Sequence, residues 1–263
     1  MAQAANRVSS WNIDPGSLKY PLVIAHRGRS GVAPENTLEA FRRAIDAGAD
    51  AADAIELDVR LTRDGHVAVI HDRRVDRTTS GTGVIGKLTL AEIKELDAGS
   101  WFGPGFKSAR VPTLDEVFEE VPRSFPVNVE LKVRNHVVKR LASAVVETVL
   151  RHRRLESTTV ASFNPLALRA TRRLEPRIAR GYLWSARHPL PLRARWLSPL
   201  ADPNWMGPAL HTFTPELLQR FHSQGKLVLA RDADVGTDLQ HLADMGLDGV
   251  IADDPEVYVR QLR

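Results

Sequence analysis

Nine short runs of β-branched and apolar residues recur along this chain, separated for the most part by stretches with helical periodicity, and this alternation constrains the fold more than any other feature. The runs are Leu22–Ala25, Ala54–Val59, Val67–His71, Val127–Val133, Thr158–Ser162, Ile178–Trp184, Ala209–Phe213, Leu227–Ala230 and Gly249–Ala252. Strands interleaved with helices predict an α/β protein with a mostly parallel sheet. Helices are clearest around Leu38, Phe41 and Ile45 and around Val137, Leu141, Val145 and Val149. The first is expected to start at Pro34 and Asn36, with Glu39 completing a capping box, and to stop at Gly48. A length of 263 residues with about eight such repeats fits a closed (β/α)8 barrel or an open doubly wound sheet.

Composition narrows the possibilities. With 43% hydrophobic and 26% charged residues the chain is an ordinary globular one, and it contains no cysteine, so His, Asp and Glu are the expected metal ligands. The net charge of +4 is spread along the chain, which predicts no nucleic-acid partner. Neither a membrane-spanning run nor a secretory signal is recognisable, and a cytoplasmic location is expected. Oligomeric state is left open by the sequence.

Only seven residues, Arg60 to His66, separate the second and third runs. They are too few for a crossover helix, so an extended return along the second strand is expected, with one barrel helix missing. A Gly-, Thr- and Asp-rich excursion then fills about 73–111, and no second core is evident after it. The expected organisation is an N-terminal extension over 1–21 and a single domain over 22–263.

Two strands carry the chemistry. Ala54–Val59 and Val127–Val133 alternate strictly, with Glu56 and Asp58 on one face of the first and Asn128, Glu130 and Lys132 on one face of the second. In a solvent-backed antiparallel sheet these side chains would simply meet water. A parallel sheet is covered on both faces, where unpaired charge is very costly, so they would have to meet a counter-charge. Three carboxylates with one lysine suit a hard divalent cation, Mg2+ or Ca2+. His26 and His71 end two nearby strands, at the C-terminal ends where barrel active sites assemble, and two imidazoles can accept and donate a proton near neutral pH. Arg27 offers a fork of donors suited to phosphate, and Lys132 a second cation.

Taken in order, His26-Arg27-Gly28, Ala33-Pro34-Glu35-Asn36-Thr37, Glu56-Leu57-Asp58-Val59, Asp64-Gly65, His71-Asp72 and Glu130-Leu131-Lys132 closely resemble the glycerophosphodiester phosphodiesterase family. More loosely, so do Ser162-Phe163-Asn164 and Gly246–Asp253. The resemblance implies a (β/α)8 TIM barrel of the phospholipase C-like phosphodiesterase type, with an inserted segment after the third strand. It implies that Glu56, Asp58 and Glu130 hold one divalent cation, that His26 and His71 are the acid–base pair, and that Arg27 and Lys132 hold the phosphate. The expected reaction is metal-dependent hydrolysis of a small glycerophosphodiester to glycerol 3-phosphate and an alcohol such as choline or ethanolamine. Glu35 and Asn36 match the motif too, although the capped start of a helix accounts for Asn36.

Two departures stand out. The turn over 47–55 is about three residues longer than usual in the family, on the side of the barrel away from the catalytic face. Near Leu229-Ala230-Arg231-Asp232 the family's tryptophan–threonine pattern is missing, leaving Arg231 or Trp184 as the replacement wall of the alcohol side. Two rival functions follow. One is a lysophospholipase D, with Leu183-Trp184 and Pro189–Leu197 as elements that could face lipid; the other is a non-catalytic phosphate-ligand binding barrel.

Overall fold

The computed structural model describes residue 11 and residues 21–47, 51–133, 137–185, 198–233 and 236–262. Its strands are β1 (Leu22–Ala25), β2 (Ala54–Leu61), β3 (Val67–Val69), β4 (Val127–Leu131), β5 (Thr158–Ser162), β6 (Ala179–Leu183), β7 (Trp205–Gly207), β8 (Leu227–Ala233) and β9 (Gly249–Ala252). All except β3 pair in parallel in the order β1-β2-β4-β5-β6-β7-β8-β9, and β9 pairs back with β1 to close the barrel. The helices are α1 (Leu38–Ile45), α2 (Leu90–Lys94), α3 (Leu114–Glu120), α4 (Val138–Arg151), α5 (Pro165–Leu174), α6 (Ser198–Ala201), α7 (Pro215–His222), α8 (Leu239–Asp244) and α9 (Pro255–Leu262). The fold is therefore a (β/α)8 TIM barrel.

β3 returns antiparallel along β2, with Val59 opposite Val69 and Leu61 opposite Val67, as the short connection requires. The Thr62 amide donates to the His66 carbonyl, and Gly65 takes the positive φ of 91° that the tight turn needs. No helix separates β2 from β3, so the crossover to β4 waits for α3. The excursion after β3 builds a small core from Val75, Ile85, Ile93, Ala98 and Val111 on Ala68 and Ile70, and so packs onto β3 itself.

Strand alternation sorts the apolar residues into two layers. Leu22, Ile24, Ala54, Ala161, Leu183, Trp205, Leu227, Leu229 and Ile251 fill the barrel interior. Trp11 stacks on Trp205 at 6.5 Å and donates its indole N–H to the Ser157 carbonyl, closing the end where the strands begin. The other faces of the strands, including Val23, Leu57, Val129 and Val160, pack against Phe41, Val117, Leu141, Val145 and Leu168 of the surrounding helices. A strand such as β2 is thus buried on both faces, which leaves Glu56 and Asp58 inside the barrel.

Two expectations about local structure are corrected. The seventh strand in chain order, sixth of the parallel barrel, is Trp205–Gly207, whereas Ala209–Phe213 contains a 3-10 turn at Leu210–Thr212 and keeps one bridge from Ala209 to Arg231. Pro208 cannot donate to a sheet ladder, and the Trp205 side chain is fully buried in the barrel interior, so pairing falls before the proline. The cap of α1 is Thr37, whose hydroxyl accepts from the Ala40 amide; the Asn36 side chain is engaged elsewhere. Gly48, the Pro189–Leu197 segment, part of the lengthened turn and all of the N-terminal extension apart from Trp11 and Pro21 lie outside the described residues.

Candidate active site

The strand ends at the carboxyl side of the barrel bring every expected group to one mouth. β1 runs into His26-Arg27-Gly28. Gly28 has φ 79°, and a Cβ there would lie 2.6 Å from the Ala40 carbonyl carbon, so only glycine lets the chain turn against α1. Arg27 also has a positive φ, 55°, a conformation that costs a non-glycine residue about 1–2 kcal/mol. That turn aims its amide at Glu56 Oε2, 2.9 Å away.

Glu56 and Asp58 point inward from β2, and the register of β4 sets Glu130 beside Asp58. Asp58 is fully buried, Glu56 is 3% exposed and Glu130 7%. One oxygen from each lies within 4.8 Å of the others. Two cations face the three carboxylates: Arg27 Nε is 3.2 Å from Asp58 Oδ2, and Lys132 Nζ is 3.1 Å from Asp58 Oδ1 and 2.6 Å from Glu130 Oε1. Asn36 completes the cradle. Its Nδ2 donates to Asp58 Oδ2 at 2.9 Å, and its Oδ1 accepts from the Asp58 amide at 3.1 Å.

The electrostatics of this cluster are weighted toward acid. Burial opposes ionisation of Asp58, yet Lys132 and Arg27 outweigh it and hold that carboxyl below the usual range. Burial, followed by repulsion from Asp58, pushes Glu56 up to about 8. A third buried carboxylate is costly unless more positive charge arrives. The donor set of three convergent carboxylate oxygens, excess acid and strand-fixed positions therefore fits a hard divalent cation.

Each histidine is oriented by a carboxylate on its Nδ1. His26 Nδ1 lies 2.6 Å from Asp253 Oδ1, just beyond β9, and His71 Nδ1 lies 2.6 Å from Asp72 Oδ1. Burial lowers the His26 pKa, but the Asp253 hydrogen bond and the nearby Glu56 more than compensate and raise it. Burial, with Lys132 adding to it, lowers the His71 pKa despite the opposing pull of Asp58 and Asp72. The two imidazoles are thus displaced in opposite directions.

Sequence reading missed part of this arrangement. Arg77 donates to both oxygens of Glu35, at 2.7 and 2.8 Å, and to Asp72 Oδ2 at 2.7 Å, while Glu35 accepts from Arg27 at 2.8 Å. An ion-pair chain therefore ties the β1 turn to His71. Arg77 sits in the Gly- and Thr-rich excursion with no local signal, whereas Asp253 was legible as the next inward position after Ile251. Of the two candidates for the alcohol-side wall, Trp184 is buried outside the barrel against Phe221, with ring centres 5.8 Å apart. Arg231 is at the mouth. Leu183 and Trp184 are each 3% exposed, so this pair does not face lipid: both faces of β6 are covered, one by the barrel interior and one by helices. No helix among the described residues is long and apolar enough to cross a membrane.

Known proteins resemble this chain over most of its length. The family model described as "Glycerophosphoryl diester phosphodiesterase family" matches residues 26–257. A glycerophosphodiester phosphodiesterase of Caldanaerobacter subterraneus subsp. tengcongensis is 38% identical over 92% of this chain and 98% of its own length. A Bacillus subtilis protein of the same name is 30% identical over 92% and 88% of the two chains. Among solved structures, an Oleispira antarctica phosphodiesterase in complex with the product sn-glycerol-3-phosphate superposes with a TM-score of 0.81 at 35% identity, covering 92% of this chain and 96% of that one.

Proposed function

The chain belongs to the glycerophosphoryl diester phosphodiesterase family and is a phosphoric diester hydrolase, and from that premise we propose that it cleaves glycerophosphodiesters to glycerol 3-phosphate and a free alcohol at the His26–His71 mouth. The observation that carries this reading is the convergence of two carboxylate-oriented histidines on one buried acidic triad flanked by Arg27 and Lys132.

Glu56, Asp58 and Glu130 would hold a divalent cation, Mg2+ or Ca2+, which when bound supplies Lewis-acid stabilisation of charge on the phosphoryl oxygens. Arg27 and Lys132 bind the remaining phosphate charge and fix the ester in line for attack. Because each imidazole is held through Nδ1, its Nε2 is left for proton transfer. One histidine accepts the proton of the attacking hydroxyl and the other protonates the departing alkoxide; water as nucleophile gives glycerol 3-phosphate directly, whereas the glycerol 2-hydroxyl gives a cyclic phosphate that water then opens with the two histidines exchanging roles. Opposite pKa displacements suit a pair that must hold one proton between them near neutral pH.

The test is a rate panel on glycerophosphoglycerol, glycerophosphocholine and lysophosphatidylcholine, with Mg2+, with Ca2+ and with chelator. Release of glycerol 3-phosphate from the first two, abolished by chelator and restored by one cation, is the expected result. Chelator-insensitive turnover would remove the triad from the reaction. Preferential cleavage of lysophosphatidylcholine would reassign the substrate class.

A further inference from the structure

The mouth is asymmetric. On the β1–β3 side it is filled by the ion-pair chain from Arg27 through Glu35 and Arg77 to Asp72. On the β5–β8 side, β6 and β7 lead into the small residues Ser185 and Ala209, and among the described residues the large groups are Phe163, just past β5, and Arg231 on β8. Leu227 and Leu229 lie in the barrel interior, so the two-residue period of β8 brings Arg231 to the mouth above them.

Arg231 is seated on an aromatic platform. Its Cζ lies 4.9 Å from the centre of the Phe163 ring, and Lys132 Nζ lies 5.9 Å from the same ring, so Phe163 bridges the acidic cage and Arg231. Arg231 Nη2 donates to the Trp184 carbonyl at 2.9 Å and Nη1 to Asp232 Oδ2 at 2.7 Å, while Nε is buried without a hydrogen-bond partner. Asp232 is 53% exposed against 18% for Arg231, so their ion pair is screened by water and offsets the guanidinium charge only in part.

This wall has a definite chemical preference. An aromatic face that already carries a guanidinium is not open to a trimethylammonium group, and two neighbouring cations repel one. Hydroxyl or anionic oxygens, in contrast, gain a charge-assisted hydrogen bond from Arg231. The crowded β1–β3 side leaves the arm of variable chemistry to the β5–β8 side.

We propose that Arg231, seated on Phe163, is a specificity-determining residue that faces the leaving alcohol and selects phosphodiesters whose alcohol is a polyol or anionic over those whose alcohol is a quaternary ammonium. The inference rests on the glycerophosphodiesterase reading of the same site and names the substrate class within it.

The experiment compares kcat/KM for glycerophosphoglycerol, glycerophosphoinositol and glycerophosphocholine in the wild-type chain, Arg231→Gln and Arg231→Leu, each with saturating cation. Wild type should prefer the two polyol esters by about tenfold or more, the scale expected for losing a hydrogen bond in a site built for one. Both variants should bring the ratios to within about twofold, mainly through KM of the polyol esters. Glutamine keeps an N–H for the Trp184 carbonyl without the charge, so the comparison survives if the leucine variant fails to fold. Unchanged ratios in both variants, or an equal loss on all three esters, would overturn the proposal, the latter by placing Arg231 against the shared glycerol or in the scaffold. If wild type cleaves none of the three, the glycerophosphodiesterase reading itself falls, and this inference falls with it.

Discussion

Asn36 offers a quantitative test of how the acidic cage is held. Its side chain makes a reciprocal pair of hydrogen bonds with Asp58, is 4% exposed, and hangs from a backbone at φ 58°. Asn36→Ala removes a charge-assisted bond worth roughly 1.5–3 kcal/mol and leaves the buried Asp58 amide without that acceptor, at roughly 1–3 kcal/mol. It also puts a Cβ-bearing residue with no local hydrogen bond in the left-handed region, adding about 1 kcal/mol. These overlap, and a total on the order of 4 kcal/mol is expected, equivalent to a fall in Tm of about 8–16 °C for a domain of this size. Asn36→Gly relieves the backbone cost alone and should recover about 1 kcal/mol. Chemical denaturation of the three cation-free proteins reads the free energies, and calorimetric titration with Mg2+ or Ca2+ reads the cage. Both variants should bind the cation more weakly, because Asp58 loses a group that orients it. A loss below 1 kcal/mol in the alanine variant, with cation affinity intact, would show that Asn36 does not hold Asp58 and would return it to the helix-start role its sequence position suggested.

His26→Ala and His71→Ala should each lower kcat by about 10²–10⁴, the usual weight of one general acid or base, while leaving the melting temperature within a few degrees. Near-normal turnover in either would remove that histidine from the acid–base pair. The hydrogen bond from Arg77, with that from His71, holds the Asp72 carboxyl down at about 2. A depressed carboxyl stabilises the fold above its unfolded pKa near 3.9, and that contribution is lost as pH falls toward about 2. Asp72→Asn should therefore flatten the fall in urea midpoint between pH 5 and pH 3; an unchanged slope would mean that the Arg77–Asp72 link contributes nothing to folding.

Much of this protein was legible along the chain because strand periodicity is local. Alternation in Ala54–Val59 and Val127–Val133 put Glu56, Asp58, Glu130 and Lys132 on common faces, and the length of the Arg60–His66 connection allowed only an antiparallel return. The seventh strand in chain order ends before Pro208, at Gly207, because a proline cannot donate to the ladder that Ala209–Phe213 would have needed. Groups that act by meeting a distant partner were a different matter. The Asn36 amide had a local use at the helix start and did not take it, because Asp58, 22 positions on, offers a buried charge that a solvent-facing helix end does not. Arg77 comes from a segment whose composition signals only turns, yet it bonds Glu35 across 42 positions. Which side chains share a face of a strand follows from a two-residue period alone and needs no partner strand. Closure of the sheet decided which of them meet: β9 beside β1 sets Asp253 against His26, and β8 brings Arg231 over Phe163. Coulombic and hydrogen-bond energies depend on separation in space, and only the closed barrel fixes those separations.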